Sequence, residues 1–108
     1  MERVETTILK NLIFNEEYSR KVLPFLKNEY FESYHEKVVF EETAKFIIEY
    51  SNLPSKEAII IEAEKRTDIS DEGFKDISKL VTELNEEKSD LQWLFDTTEK
   101  WCRDRAIY

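Results

Sequence analysis

Gly73 is the only glycine in this chain of 108 residues, and Pro24 and Pro54 are the only prolines. That scarcity restricts the fold more than any other feature. Hairpins, tight strand turns and bulges draw on glycine for backbone conformations that other residues avoid, and a sheet protein of this size carries several. Glutamate, lysine and leucine at helical spacing fill the chain instead. The expectation is an all-α fold: a single domain over residues 1–108, built as a compact bundle of about six helices. Hydrophobic residues make up 41% of the chain, enough for a real core. A chain this long hides only roughly 60–70% of its extended surface.

The first helix is expected over residues 4–13, with Val4, Ile8, Leu9 and Leu12 on one face. Asn15 is placed to cap the segment "EEYSRKVLPFL", whose leading Glu16 and Glu17 suit a helix N-terminus. Tyr18, Val22, Phe25 and Leu26 form its stripe, and Pro24 should kink or end it over residues 21–23. Tyr30 and Phe31 lie in a short connector and are expected to plug a gap between helices. Ser33, with Glu36 three residues on, reads as a capping box for a helix reaching Tyr50. Its inner face would hold Val39, Thr43, Phe46, Ile47 and Tyr50, widened by Phe40 and Ala44.

Ser55 and Ser70 are N-cap candidates for two further helices. The run Ala58, Ile59, Ile60, Ile61 has strand-like β-branched residues, but its cap and its Glu, Ala and Lys flanks argue for helix. Phe74, Ile77, Val81 and Leu84 follow at helical spacing. The last helix begins near Ser89 or Asp90, with Leu91, Leu94, Phe95, Thr98 and Cys102 as its stripe.

Charge narrows the function. Sixteen basic residues stand against 24 acidic ones, a net charge of −8. Such a domain repels a phosphate backbone and does not by itself embrace nucleic acid. The lone cysteine, Cys102, allows no internal disulfide, which points to a reducing, cytoplasmic setting, the host cytoplasm if the chain is phage-encoded. No apolar run approaches the roughly 20 residues that span a bilayer, so no membrane partner is expected.

Residues able to carry chemistry are few. A P-loop needs glycines that are missing. His35 is the only histidine, so no histidine pair can hold a metal, and it sits at the edge of a buried stripe as a structural residue. Cys102 reads as a buried thiol. The paired acids Glu16–Glu17, Glu41–Glu42 and Glu86–Glu87 read as solvated surface. Trp101 falls on the apolar stripe of the last helix. Trp93 lies about a quarter turn off it and is an interface candidate. No catalytic, cofactor or metal site is expected; binding or assembly remains.

The order of the pieces resembles the N-terminal domain of DnaB-type replicative helicases, and within that family its phage members. The likeness begins with "VETTILKNLIFNEEYSRKVLPFLKNEYFESYHEKVVFE". Glu5, Leu9, Leu12 and Asn15 match a glutamate-led helix ending in leucines and a cap, and Val22 matches a central valine. Tyr30, Phe31, His35, Val39 and Phe40 fit the positions that follow. "NLPSKEAIIIEAEK" resembles the family's proline turn and next helix, and "WCRDRAIY" its closing arginine-acid-arginine-alanine segment. Ser51 and Asn52 stand where the family often has a glycine.

The resemblance implies a collar domain of a hexameric, ATP-dependent DNA helicase moving 5′ to 3′ at the replication fork. It implies that the last helix is the first arm of a helical hairpin interrupted at Tyr108, with a RecA-like ATPase domain outside this chain. ATP and magnesium would belong to that motor, with no cofactor here. Partners would be other copies of the helicase, primase and a helicase loader; DNA would be gripped mainly by the motor. Leu91, Trp93, Leu94, Arg105 and Tyr108 are the expected interface residues, with Leu94 and Tyr108 exposed. Two other readings stand beside this one. A free-standing acidic interaction protein could mimic DNA, although Lys56, Lys65 and Arg66 interrupt its acids. A small metal-dependent helical enzyme would lack the usual Glu-x-x-His pair.

Overall fold

The computed structural model describes residues 3–87 and 89–106, which form six α-helices and two short 3₁₀ turns with no strand among them. In chain order the helices are α1 (Val4–Phe14), α2 (Glu16–Val22), α3 (Tyr34–Tyr50), α4 (Lys56–Glu64), α5 (Asp71–Glu83) and α6 (Leu91–Ala106). The 3₁₀ turns, Leu23–Phe25 and Asn28–Tyr30, join α2 to α3. The all-α expectation holds.

α1 is buried along most of its length, with α2 and α3 packed on it. The single apolar face expected of it is exceeded, because Glu5, Lys10 and Asn11 are buried along with Ile8, Leu9, Leu12 and Ile13. Polar groups covered in this way need partners. Lys10 Nζ reaches Glu87 Oε2 at 2.6 Å, and Asn11 Nδ2 donates to the Thr7 carbonyl at 2.8 Å.

Local signals set most helix boundaries. Asn15 Oδ1 accepts from the Tyr18 N–H at 3.1 Å, Ser55 Oγ from Ala58 at 3.0 Å, and Ser70 Oγ from Gly73 at 3.0 Å. A Cβ on Gly73 would stand 3.1 Å from that Ser70 hydroxyl, so the glycine leaves room for the cap. Pro24 ends α2 at Val22, as expected, and the chain tightens into 3₁₀ geometry. The expected capping box at Ser33 is incomplete: Ser33 occupies the N-cap position without a side-chain cap bond, and only the Glu36 carboxyl reaches back to the Ser33 backbone. Glu36 also accepts from Arg3, at 3.0 Å, a charge-assisted bond and the stronger of its two contacts.

The connector aromatics enter the core as expected. Phe31 is fully buried between Phe40 and Trp101, with ring centroids 5.2 and 5.0 Å away. Tyr30 meets Trp101 edge-on at 5.9 Å. Tyr18 on α2 and Thr98 on α6 share a buried hydrogen bond of 2.6 Å, and burial pushes the Tyr18 phenol well above its ordinary pKa.

Two aromatic placements differ from expectation. Tyr50 has the right helical angle but belongs to the last turn of α3, where its ring meets that of Phe46 at a tilt, 4.7 Å between centroids, and stays 56% exposed. Val38, outside the anticipated face, is core. Phe25, expected on the stripe of α2, is 70% exposed, because the turn at Pro24 takes it off the helix. After Tyr50, Ser51 ends α3 in the left-handed conformation, with φ 55°. Without a glycine there, that geometry costs on the order of 1 kcal/mol.

Candidate docking surface

α6 packs against α2 and the second 3₁₀ turn. Leu94, Thr98 and Trp101 are its buried residues, while Leu91, Phe95 and Cys102 are partly covered. Where α6 leaves α2, an open apolar groove of about 470 Å³ remains. Val22, Phe25 and Tyr30 line one wall, and Phe95, Cys102 and Ala106 the other. Its volume falls within the range of pockets that accept a large side chain or small ligand. Lys21 Nζ stands 4.8 Å from the Phe95 ring centroid at the mouth, and Glu99 pairs with Arg103 across one turn of the rim at 3.5 Å. Burial pushes the Cys102 thiol up, so the groove holds little thiolate at neutral pH. Lys21 and Phe25 were not among the expected interface residues. The one sequence signal for them was the proline between Leu23 and Phe25.

The expected interface residues scatter. Leu91 is half-buried against the core. Trp93 is 51% exposed, in keeping with its angle on the helix. Leu94 corrects the expectation of an exposed apolar residue: it is 1% exposed and part of the core, because α6 turns that face onto α2. Arg105 is engaged within the chain, at 2.7 Å from buried Glu5 and 2.8 Å from Glu32, with its guanidinium 5.5 Å from the Trp101 ring centroid. Tyr108 lies outside the described residues.

The acidic pairs also divide. Glu16, Glu17, Glu86 and Glu87 are exposed. Glu42 is not: only 5% exposed, it meets Arg66 at 3.0 Å, and Arg66 also binds Glu41 at 3.1 Å and Asp68 at 2.7 Å. Glu41–Glu42 is therefore half of a structural clamp between α3 and the chain after α4, which corrects the reading of a solvated pair. The Arg66 guanidinium holds the Asp68 carboxyl down at about 2. His35 faces Asp76 at 3.7 Å on a part-exposed surface. Among the described residues, no group of three or more His, Cys, Asp or Glu is arranged to hold a metal. Among the same described residues, no helix is long and apolar enough to cross a membrane.

Glu36 offers a titration test of this packing. It is buried beside Arg3, Glu5 and Arg105, and burial raises its pKa against the pull of Arg3. A carboxyl whose pKa is higher folded than unfolded binds more protons in the native state. Its contribution is therefore most favourable below the unfolded pKa, declines as pH rises through the raised folded value, and is level above it. We expect Glu36→Gln to lack that decline. Denaturant melts of both proteins from about pH 3 to 7 check it, since the difference between the two curves isolates this group.

Compared with known proteins, the chain is similar to the DnaB-like replicative helicase of Enterobacteria phage T4, at 32% identity over 101 residues. The match takes in 94% of this chain and 21% of the phage T4 protein, so the chain spans about a fifth of the length of that relative. The likeness to replicative helicases read from the residues is thus found over nearly the whole chain, to an extent consistent with one N-terminal domain. No family model matches the chain, and no solved structure matches it.

Proposed function

From a likeness to a DnaB-like replicative helicase that runs through nearly the whole chain, we propose that these residues form the N-terminal collar of such an enzyme. The observation that carries this reading is the 32% identity spread over 94% of the chain. The domain has no catalysis of its own in this reading. It holds copies of the helicase together as a hexamer and offers surfaces to primase and to a helicase loader in the cytoplasm of the host. The motor domain of the full protein supplies ATP and magnesium binding, 5′ to 3′ movement and the grip on DNA. An acidic surface suits that division of labour. It leaves the lagging strand to the motor and steers basic replication partners towards the collar.

The test uses the full protein encoded by the frame that contains residues 1–108. That protein should carry G-x-x-x-x-G-K-[ST] downstream, hydrolyse ATP faster with single-stranded DNA, and unwind a forked duplex. Deleting residues 1–108 should leave nucleotide binding intact but weaken the hexamer and abolish stimulation by primase. A frame without the phosphate-binding motif would overturn the reading. So would a deletion variant that assembles and answers primase normally.

A further inference from the structure

Two features of α6 are left over once its packing is accounted for, and they lie on opposite sides of it. One is Trp93, half exposed, with no stacking or cationic neighbour on its ring among the described residues. The other is the groove between Phe25 and Cys102. Trp93 and Phe95, a groove residue, are two positions apart, or about 200° around the helix. A chain therefore cannot seat its own tryptophan in its own groove. Two copies cannot exchange them across one two-fold interface either, because the two features face apart.

We propose that Trp93 of one copy seats in the groove of the next, forming a head-to-tail contact between copies of this chain. The inference deepens the assembly reading above, on which it rests, by naming both halves of one contact. Three observations support it. The groove is lined mainly by apolar side chains and is of a size to admit one large aromatic. The flanking charges are complementary. Exposed Asp90 and Asp96 lie one turn to either side of Trp93, whereas Lys21 stands at the mouth of the groove with no carboxylate partner among the described residues. Glu99 at the rim is offset by Arg103. Finally, the Lys21 ammonium already lies over the Phe95 ring, so an arriving indole would meet both an apolar wall and a cation.

Tryptophan in a desolvated pocket is enriched among interface anchors, with tyrosine and arginine. One such contact buries less than the roughly 1,000 Å² of a stable interface, so it is weak when single. Because it is heterologous, it repeats from copy to copy and closes into a ring or runs on as a filament. Around a ring the contacts reinforce one another through effective concentration.

Sedimentation equilibrium of the chain up to ~1 mM, with amide spectra recorded alongside, tests the proposal. The average mass should climb past that of a dimer, and amide shifts should fall on Trp93 and on the Lys21, Phe25 and Cys102 wall. Trp93→Ala and Lys21→Glu, both at exposed positions, should melt within a few degrees of wild type. Each should associate roughly thirtyfold more weakly. An equal mixture of the two should recover one contact and stop at a dimer, because only the Lys21→Glu copy keeps its tryptophan and only the Trp93→Ala copy keeps its groove. A chain that stays monomeric throughout would overturn the proposal. A closed dimer that survives both substitutions would overturn it in favour of a two-fold face. Loss of association with Lys21→Glu alone would also overturn it, placing some other acidic segment in the groove. A groove that answers single-stranded DNA and not a second copy would do the same. None of these outcomes touches the helicase reading, which is tested by the ATPase and unwinding of the full protein.

Discussion

Leu94→Asp is expected to leave the domain unfolded, or nearly so, at 37 °C. On a helical wheel Leu94 could be mistaken for a surface position, and an aspartate there for a mild probe of association. In the fold it is 1% exposed and belongs to the same core as Leu9, Leu12, Tyr18 and Trp101. Removing the leucine costs about 2–5 kcal/mol through lost burial and the cavity left behind. The new carboxylate would sit among apolar side chains, so it must either protonate or open the structure, at a cost of a further few kcal/mol. Domains of this kind have about 5–15 kcal/mol in total. The measurement is far-ultraviolet circular dichroism against temperature. A cooperative melt within a few degrees of wild type would show that α6 does not pack as described. Loss of self-association by this variant would report unfolding alone, which is why the contact at Trp93 is tested with residues on the surface.

The second large effect is expected at Arg66. Its guanidinium serves Glu41, Glu42 and Asp68 together, and Glu42 is nearly fully buried. Arg66→Ala strands that carboxylate. Lys45 remains 3.7 Å from its other oxygen, so the loss should fall near the lower end for a broken buried pair, about 3 kcal/mol. Replacing both partners, as Glu42→Gln with Arg66→Met, should recover most of the loss, because no buried charge is then left uncompensated and the charges of Glu41, Asp68 and Lys45 reach water. Urea denaturation of the single and double variants measures this directly. If the double variant is no more stable than Arg66→Ala, the cost lies in packing by the arginine stem and not in the stranded charge. By contrast, the exposed pairs Arg20–Glu16 and Lys100–Asp104 should matter little, because water screens them.

These effects separate what could be read along the chain from what could not. The fold class was legible because it is a matter of local chemistry. One glycine and two prolines leave little turn material for strands, and caps at Asn15, Ser55 and Ser70 announce helices that form where expected. Core positions in and just after α5, and Trp101 in α6, followed from a spacing of three, four and seven residues: Ile77, Val81, Leu84 and Trp101 are all buried. Even the exposure of Trp93 came from its angle on the helix. The likeness to replicative helicases could be read in the same way, from the order of short segments, and the comparison with the phage T4 protein found it.

The candidate surface was much less legible. Leu94 and Arg105 had been expected to face a partner, yet one is core and the other is tied to Glu5 and Glu32. Phe25, expected on the stripe of α2, forms one wall of the groove, and Lys21 stands at its mouth. Glu42 had been read as solvated, yet it is buried against an arginine 24 positions away in the chain.

Periodicity and capping by themselves determined that this chain is helical, where most of its helices begin, and which stripe of each is apolar, because those properties depend on neighbours within a turn or two. Only the tertiary structure decided which stripe is covered by another helix and which is left bare, and which charge finds its partner across the fold. Those outcomes depend on how helices of different lengths meet in space. α1 is enclosed on nearly all sides, Lys10 and Asn11 included, while the last turn of α3 stands in water although it carries Ile48 and Tyr50.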